Sequence, residues 1–320
     1  MPYEDLPYDQ LRSYSPELSW PADLEIFWKT TLEESRALVA PPNFTKVSTG
    51  LCLVDTFDVT FSGFGGHLVR GWMHVPANVT GPLPTVVRYQ GYGGGRGLAI
   101  DVSPWALAGY ATFVMDNRGQ GSAWSPGDTP DPVGAAPSHP GFMTRGILDR
   151  NEYFYRRAFT DAVLAVDAVR AHPLVRHDRV AVTGGSQGGA LTIAVAALEP
   201  SIWAAMPDVP FLCDFPRATE IVDTDPYCEI VRYLKVHRDQ VDAVFSTLAY
   251  FDVAALAKLA QAPSLFSVAL MDTLCPPSTV YAAFNRYSGQ KQIVEYPFND
   301  HEGGELYHRA RQLQWLKSLV

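Results

Sequence analysis

The sequence predicts an α/β fold built on a mostly parallel central sheet with helices on both faces, and three observations carry that expectation. Short β-branched runs stand at Thr85–Tyr89, Ala111–Met115 and Arg179–Thr183, the pattern of strands buried on both faces. Between the last two, Phe159, Val163, Val166 and Val169 recur at helical spacing and make 158–172 an amphipathic helix. Strand, helix and strand then repeat toward the C terminus: strands at Ala204–Val209, Ser264–Leu270 and Gln292–Tyr296, helices at Ser278–Arg286 and from about Glu305.

Alternation over Leu68–Val75 suggests a half-buried strand before the parallel core, which fits antiparallel strands at the start of the sheet. Residues 1 to about 45, rich in Pro and aromatics with one helical stretch at 23–38, read as an arm packed on the core. Two segments fall outside the repeating unit: a Pro/Gly-rich loop at about 122–146 and a helical insertion at about 213–262. Both are candidates for a lid or a subunit contact. With 320 residues, 47% of them hydrophobic, the chain is read as a single domain of 1–320.

Composition narrows the function classes. A formal net charge of -9 disfavours nucleic acid and anionic membrane surfaces as partners. The start has no basic flank followed by an apolar run, and nowhere do eighteen apolar residues run together, so a soluble, cytoplasmic protein is expected. Cys52, Cys213, Cys228 and Cys275 lack CxxC spacing and are expected as reduced thiols.

Gly184-Gly185-Ser186-Gln187-Gly188 contains the G-x-S-x-G pattern directly after a predicted strand and before a small-residue helix at 190–198. A pentapeptide alone could be a tight glycine turn. Its position between strand and helix favours a nucleophile elbow, the mark of the α/β-hydrolase fold. An alcohol needs an adjacent base, and the base a third group that fixes its tautomer. In this fold acid and histidine follow the serine in that order; Asp272 stands after the strand at 264–270 and His301 after the strand at 292–296. Asp252 and Asp208 are the fallback acids. Asp300 is too close in sequence to His301 to orient it. The amide of Gln187 is the first expected oxyanion donor, and the second is expected from the glycine-rich loop 90–95. That loop lacks the Lys-Ser/Thr ending of a phosphate loop, so no nucleotide is expected.

No metal or other cofactor is expected. His301-Glu302-Gly303-Gly304-Glu305-Leu306-Tyr307-His308 approaches a zinc-protease helix, but Glu305 stands where the second histidine belongs and two glycines disfavour the helix. Cys275 is read as a packed thiol with no base beside it.

Arg118-Gly119-Gln120, Gly184-Gly185-Ser186-Gln187-Gly188 and His301-Glu302, in this order, resemble the acetyl xylan esterase and cephalosporin C deacetylase family, carbohydrate esterase family 7. The segments 210–215 and 272–279 are similar to the family's as well. The resemblance implies Ser186, Asp272 and His301 as triad, the amides of Tyr92 and Gln187 as oxyanion donors, metal-free deacetylation of small acetylated substrates, and a ring-shaped homohexamer. Arg118, Gln120 and Glu302 are then supporting residues that brace loops. One departure is Gln90 where the family usually has His; the main-chain donor of Tyr92 is expected to survive it. The leading expectation is hydrolysis of acetyl esters of sugars through an acyl-serine. The alternatives are a peptidase or larger-acyl esterase on the same fold and a catalytically silent ligand receptor.

Overall fold

The computed structural model describes residues 5–133 and 138–319. Nine strands form one sheet: β1 Asn43–Val47, β2 Val54–Ser62, β3 Leu68–Pro76, β4 Leu83–Tyr89, β5 Ala111–Met115, β6 Val175–Gly185, β7 Ala204–Asp208, β8 Ser264–Ala269 and β9 Lys291–Tyr296. The helices are α1 Tyr8–Leu11, α2 Leu24–Arg36, α3 Pro104–Leu107, α4 Phe154–Arg170, α5 Gln187–Leu198, α6 Phe215–Ile221, α7 Tyr227–Val236, α8 Val241–Leu248, α9 Val253–Leu256, α10 Pro277–Arg286 and α11 Glu305–Ser318. The spatial order is β1-β2-β3-β5-β4-β6-β7-β8-β9. The first three pairings are antiparallel and those from β5 onward parallel, as the change in strand character along the chain predicts.

The period of two along each strand divides the core. Val87, Tyr89, Val180 and Val182 belong to the apolar cluster that also holds α4 and α5, whereas Val86 and Ala181 join Trp105 and Leu316 in a second one. α5 is buried almost all round; its Ala, Gly and β-branched residues let it lie close to the sheet.

Several boundaries differ from the sequence expectations for physical reasons. β6 begins at Val175 instead of Arg179: buried Val175 pairs with Leu83 and Val180 with Thr85, and the polar residues 176–179 bulge outward between the two pairs. α4 starts at Phe154, four residues before the expected 158, with Phe154 and Tyr155 buried. α5 starts at Gln187 instead of 190, directly from the serine turn. β1 and β2 were not singled out: β1 is an exposed edge strand, and Asp and Thr interrupt the alternation of β2. Cys275 and Cys213 are buried free thiols, Cys228 is partly exposed and Cys52 exposed. Among the described residues no helix is long and apolar enough to cross a membrane.

The N-terminal arm is part of the core. Trp28 of α2 is 1% exposed, donates its indole N–H to the Tyr250 carbonyl at 3.0 Å and stacks on Phe159 at a centroid distance of 5.6 Å. The insertion supplies α6 to α9, and the loop at 122–146 runs without helix or strand over the C-terminal ends of the parallel strands; four of its residues, 134–137, lie outside the described chain. Replacing Trp28 by Ala removes a large buried ring and leaves a cavity, so Trp28→Ala should lower unfolding stability by about 3–5 kcal/mol. Urea denaturation followed by fluorescence measures it; a change under ~1 kcal/mol would show that the arm is not part of the cooperative core.

Candidate active site

Ser186 is the turn between β6 and α5, at φ 57 and ψ -121, a region that non-glycine residues rarely adopt. The turn is held from both sides: the Ser186 amide donates to the Asp208 carbonyl and the Phe211 amide donates to the Ser186 carbonyl, both at 3.0 Å. Its glycines are steric requirements. A Cβ on Gly188 would lie 2.3 Å from the Tyr89 carbonyl oxygen, and one on Gly184 would lie 2.6 Å from the Gly188 backbone.

Asp272 follows β8 and His301 follows β9, on neighbouring loops tied by the Met271 amide donating to the Asn299 carbonyl at 3.1 Å. Asp272 is buried. Its Oδ1 accepts the amides of Leu274 and Cys275, each at 2.8 Å, and its Oδ2 lies 2.9 Å from His301 Nδ1. This carboxylate is therefore fixed by backbone before it meets the imidazole. The histidine loop is braced by its own side chains: Asp300 Oδ1 accepts the His301 amide at 2.8 Å, and Glu302 accepts the Asp300 amide at 3.0 Å and the side-chain amide of Asn299. An imidazole with Nδ1 held in this way can exchange a proton at Nε2. His301 and Ser186 line one cavity of about 750 Å³, together with Gln90, Tyr92, Phe211 and Pro226.

Burial works against a charged His301, while the Cys275 sulfur and the Asp272 carboxylate work for it; its pKa is raised above the ordinary histidine value. Burial pushes the Cys275 thiol itself up to about 11. Near neutrality the thiol is uncharged, so the support for the imidazolium comes from Asp272.

The amides of Tyr92 and Gln187 donate to no group among the described residues, although Gln187 is 1% exposed. Their setting is rigid. Gln120 accepts the Gly93 amide at 2.7 Å and donates to the Gln187 side-chain carbonyl at 2.9 Å, which Tyr155 also reaches at 3.0 Å. The Tyr92 hydroxyl accepts the Phe142 amide and donates to Glu229 Oε1, both at 2.7 Å, and Glu229 Oε2 accepts the Met143 amide at 3.0 Å. Trp124 donates to the Tyr92 carbonyl at 2.8 Å. Two unspent amides beside a cavity-facing hydroxyl are suited to hold a developing oxyanion. The Gln90 carbonyl accepts the Gln187 side-chain amide at 3.2 Å.

Arg118 lies one layer deeper. It is 1% exposed, forks onto Asp161 and lies 3.5 Å from Asp131, which is also paired with Arg157 at 2.8 Å. It anchors the turn that presents Gln120. Tyr155, Asp161, Glu229 and Trp124 were not anticipated as parts of this arrangement; Tyr92 and Glu229 are 137 residues apart, and no spacing rule links them.

Other sequence expectations are corrected. Asp252 accepts the amides of Asp214, Phe215 and Ala254, each at 3.0 Å, and so organises the insertion. Asp208 accepts the Gln312 side-chain amide at 2.8 Å and lies 3.0 Å from His308 Nε2. Neither fallback acid reaches His301. Cys275 does have a base beside it: ligand atoms of Asp272, Cys275 and His301 lie within 4.8 Å of one another. The carboxylate oxygens are already engaged and the thiol holds its proton, so this set is poorly disposed toward a cation at neutral pH. His308, the other residue of the zinc-like run, is held by the Tyr296 hydroxyl at 3.1 Å and does not converge with His301.

Parallel sheet, strained serine turn after β6, and acid and histidine after β8 and β9 define an α/β hydrolase. Comparison with known proteins narrows the class. The description of the acetyl xylan esterase (AXE1) family fits residues 1–319, and the chain belongs to that family. It is 26% identical to an acetyl esterase of Xylanibacter ruminicola over 96% of this chain and 70% of that one. An acetyl xylan esterase from Paenibacillus sp. R4 superposes with a TM-score of 0.91 at 34% identity, over 98% of this chain and 100% of the other. Acetyl xylan esterase 1 from Thermoanaerobacterium sp. JW/SL YS485 gives 0.89 at 32% identity, over 99% of both. The protein is a carboxylic ester hydrolase.

Proposed function

We propose that the protein deacetylates small acetylated saccharides and comparable acetyl esters, cephalosporin C among them, through an acetyl-Ser186 intermediate. The observation that carries this reading is the 2.9 Å contact between Asp272 and His301 Nδ1 beside a cavity lined by Ser186 and Tyr92, with the unspent amide of Gln187 next to Ser186 in the chain. His301 Nε2 takes the Ser186 hydroxyl proton as Oγ attacks the acetyl carbonyl carbon. The oxyanion takes hydrogen bonds from Tyr92 and Gln187. The C–O bond to the alcohol then breaks, and His301 returns the proton to the leaving oxygen. Water attacks the acetyl-enzyme by the same route and releases acetate. Arg118, Gln120, Glu229 and Glu302 touch no reacting atom and serve by positioning.

We also propose a homo-oligomer, a ring-shaped hexamer by resemblance. Exposed large apolar side chains support an assembly: Trp124 and Leu306 of the cavity lining are 60% and 67% exposed, and Phe298 and Tyr307, close to His301 and Leu306 in sequence, are 82% and 85% exposed.

Ser186→Ala should keep the fold and lose nearly all turnover of a chromogenic acetate; substantial remaining turnover would remove Ser186 from the mechanism. The base must be neutral to accept a proton, and its pKa is raised, so kcat/KM should be low in acid and rise with pH to a half-maximum above the ordinary ~6.5. Asp272→Asn withdraws the carboxylate and leaves the burial: the half-maximum should move down, and kcat should fall by about 10⁴-fold as the tautomer is lost. A profile in Asp272→Asn that matched wild type would reassign the acid. Light scattering at micromolar concentration should give six times the chain mass, and a monomer would contradict the assembly.

A further inference from the structure

Part of the cavity wall, termed here its second lobe, takes no part in the hydrolytic steps. Its floor is the C-terminal end of the sheet, with Arg88 of β4, Thr183 of β6 and Asp208 of β7; Arg309 and Gln312 of α11 face it, and Trp105 closes one side. Strand pairing sets Arg88 beside Thr183, three residues before Ser186, so about 10 Å of extended chain separates the lobe from the nucleophile. That is on the scale of a single sugar ring.

The charges in this lobe are unbalanced in an informative way. Among the described residues neither Arg88 nor Arg309 makes a side-chain hydrogen bond or an ion pair. Both are partly buried, whereas the fully buried arginines among the described residues are paired: Arg96 forks onto Asp128 and reaches Asp58, Arg118 takes Asp161, and Arg157 takes Asp131. Asp208 is the carboxylate of the same lobe; its Oδ1 accepts the Gln312 side-chain amide and lies 3.0 Å from His308 Nε2. The remaining cavity carboxylates are Glu302, held by the histidine loop, Asp225, paired with Arg232, and Glu305. Glu305 is exposed one helical turn before Arg309 and forms no ion pair with it. Burial and the charge of Arg309 lower the Arg88 pKa, the more distant charges of Asp101 and Asp208 offset part of that, and the guanidinium remains charged at any working pH. Two partly buried guanidiniums near each other in a cavity, with no carboxylate hydrogen-bonded to either, leave two donor forks open to an anion.

We infer that Arg88 and Arg309 form a subsite for a carboxylate on the alcohol portion of the ester, so that acetylated saccharides bearing a uronic acid are preferred. The planar guanidinium fork matches a carboxylate bidentately, and an apolar wall at Trp105 lowers the competition from water. This rests on the esterase reading of the same cavity and adds the substrate class.

The test compares the monoacetate of a methyl glucuronoside with that of the methyl glucoside acetylated at the same position. Wild type should favour the uronate in kcat/KM by about 10-fold, mainly through KM, and less at high salt. The ratio should approach one in Arg309→Gln and Arg88→Gln, and Arg88→Lys, which keeps charge but not the fork, should fall between. A ratio within one enzyme preparation is insensitive to partial misfolding, and Arg309 sits on a helix surface where replacement is tolerated. Equal turnover of the two esters by wild type, or a preference untouched in both Gln variants, overturns the subsite while leaving the esterase reading intact. Inhibition by free acetate that depends on Arg88 without any uronate preference also overturns it, assigning the pair to the product. If neither ester is hydrolysed, the reading of the whole site fails and the subsite with it.

Discussion

The serine turn at the end of β6 is the constraint on which the rest of the site depends. A side chain at φ 57 is tolerated because the backbone before and after it is held by the Asp208 carbonyl and the Phe211 amide. The turn directs Ser186 into the cavity and at once begins α5, whose first amide, that of Gln187, has no helical acceptor available to it. Hydroxyl and first oxyanion donor thus come from one backbone event. Gly188 allows α5 to sit against Tyr89 at the end of β4, and the loop that follows β4 delivers the second donor.

Positioning of that second donor is distributed over three distant segments. Tyr92 is held through its carbonyl by Trp124, through its hydroxyl by Phe142 and Glu229, and through its neighbour Gly93 by Gln120. The Pro/Gly-rich loop and the helical insertion, which have no part in the sheet, therefore act together on the oxyanion loop. Arg118 and its carboxylate partners form a buried, fully paired network beneath them. Such a network is costly to break on one side and holds a single geometry when complete.

The sequence made the parallel core, the turn at Ser186 and the order of Asp272 and His301 legible because each has a local signature: β-branched runs, flanking glycines, and polar residues just past apolar strands. β1 escaped because an edge strand is exposed, and β2 because Asp55, Asp58 and the threonines interrupt its alternation. The start of β6 was hidden for a related reason, since residues 176–179 are polar although they are extended. Glu229 and Asp161 could not be read at all, as their partners lie 137 and 43 positions away. Cys275 was read as a thiol without a base because its proximity to His301 arises from the meeting of two loops. Arg88 and Arg309 gave no signal either; a charged residue at a strand end is ordinarily solvated, and only the folded chain shows the two lining one lobe.

The central claim is that one hydroxyl, that of Ser186, is made nucleophilic by this arrangement. Its most direct test is covalent: the wild-type protein is treated with a stoichiometric organophosphate, and intact mass and peptide mapping locate the adduct. The account predicts a single phosphoryl group on the peptide containing Ser186, formed in step with the loss of esterase activity. Complete inactivation with that peptide unmodified, or with the adduct on another residue, would contradict it.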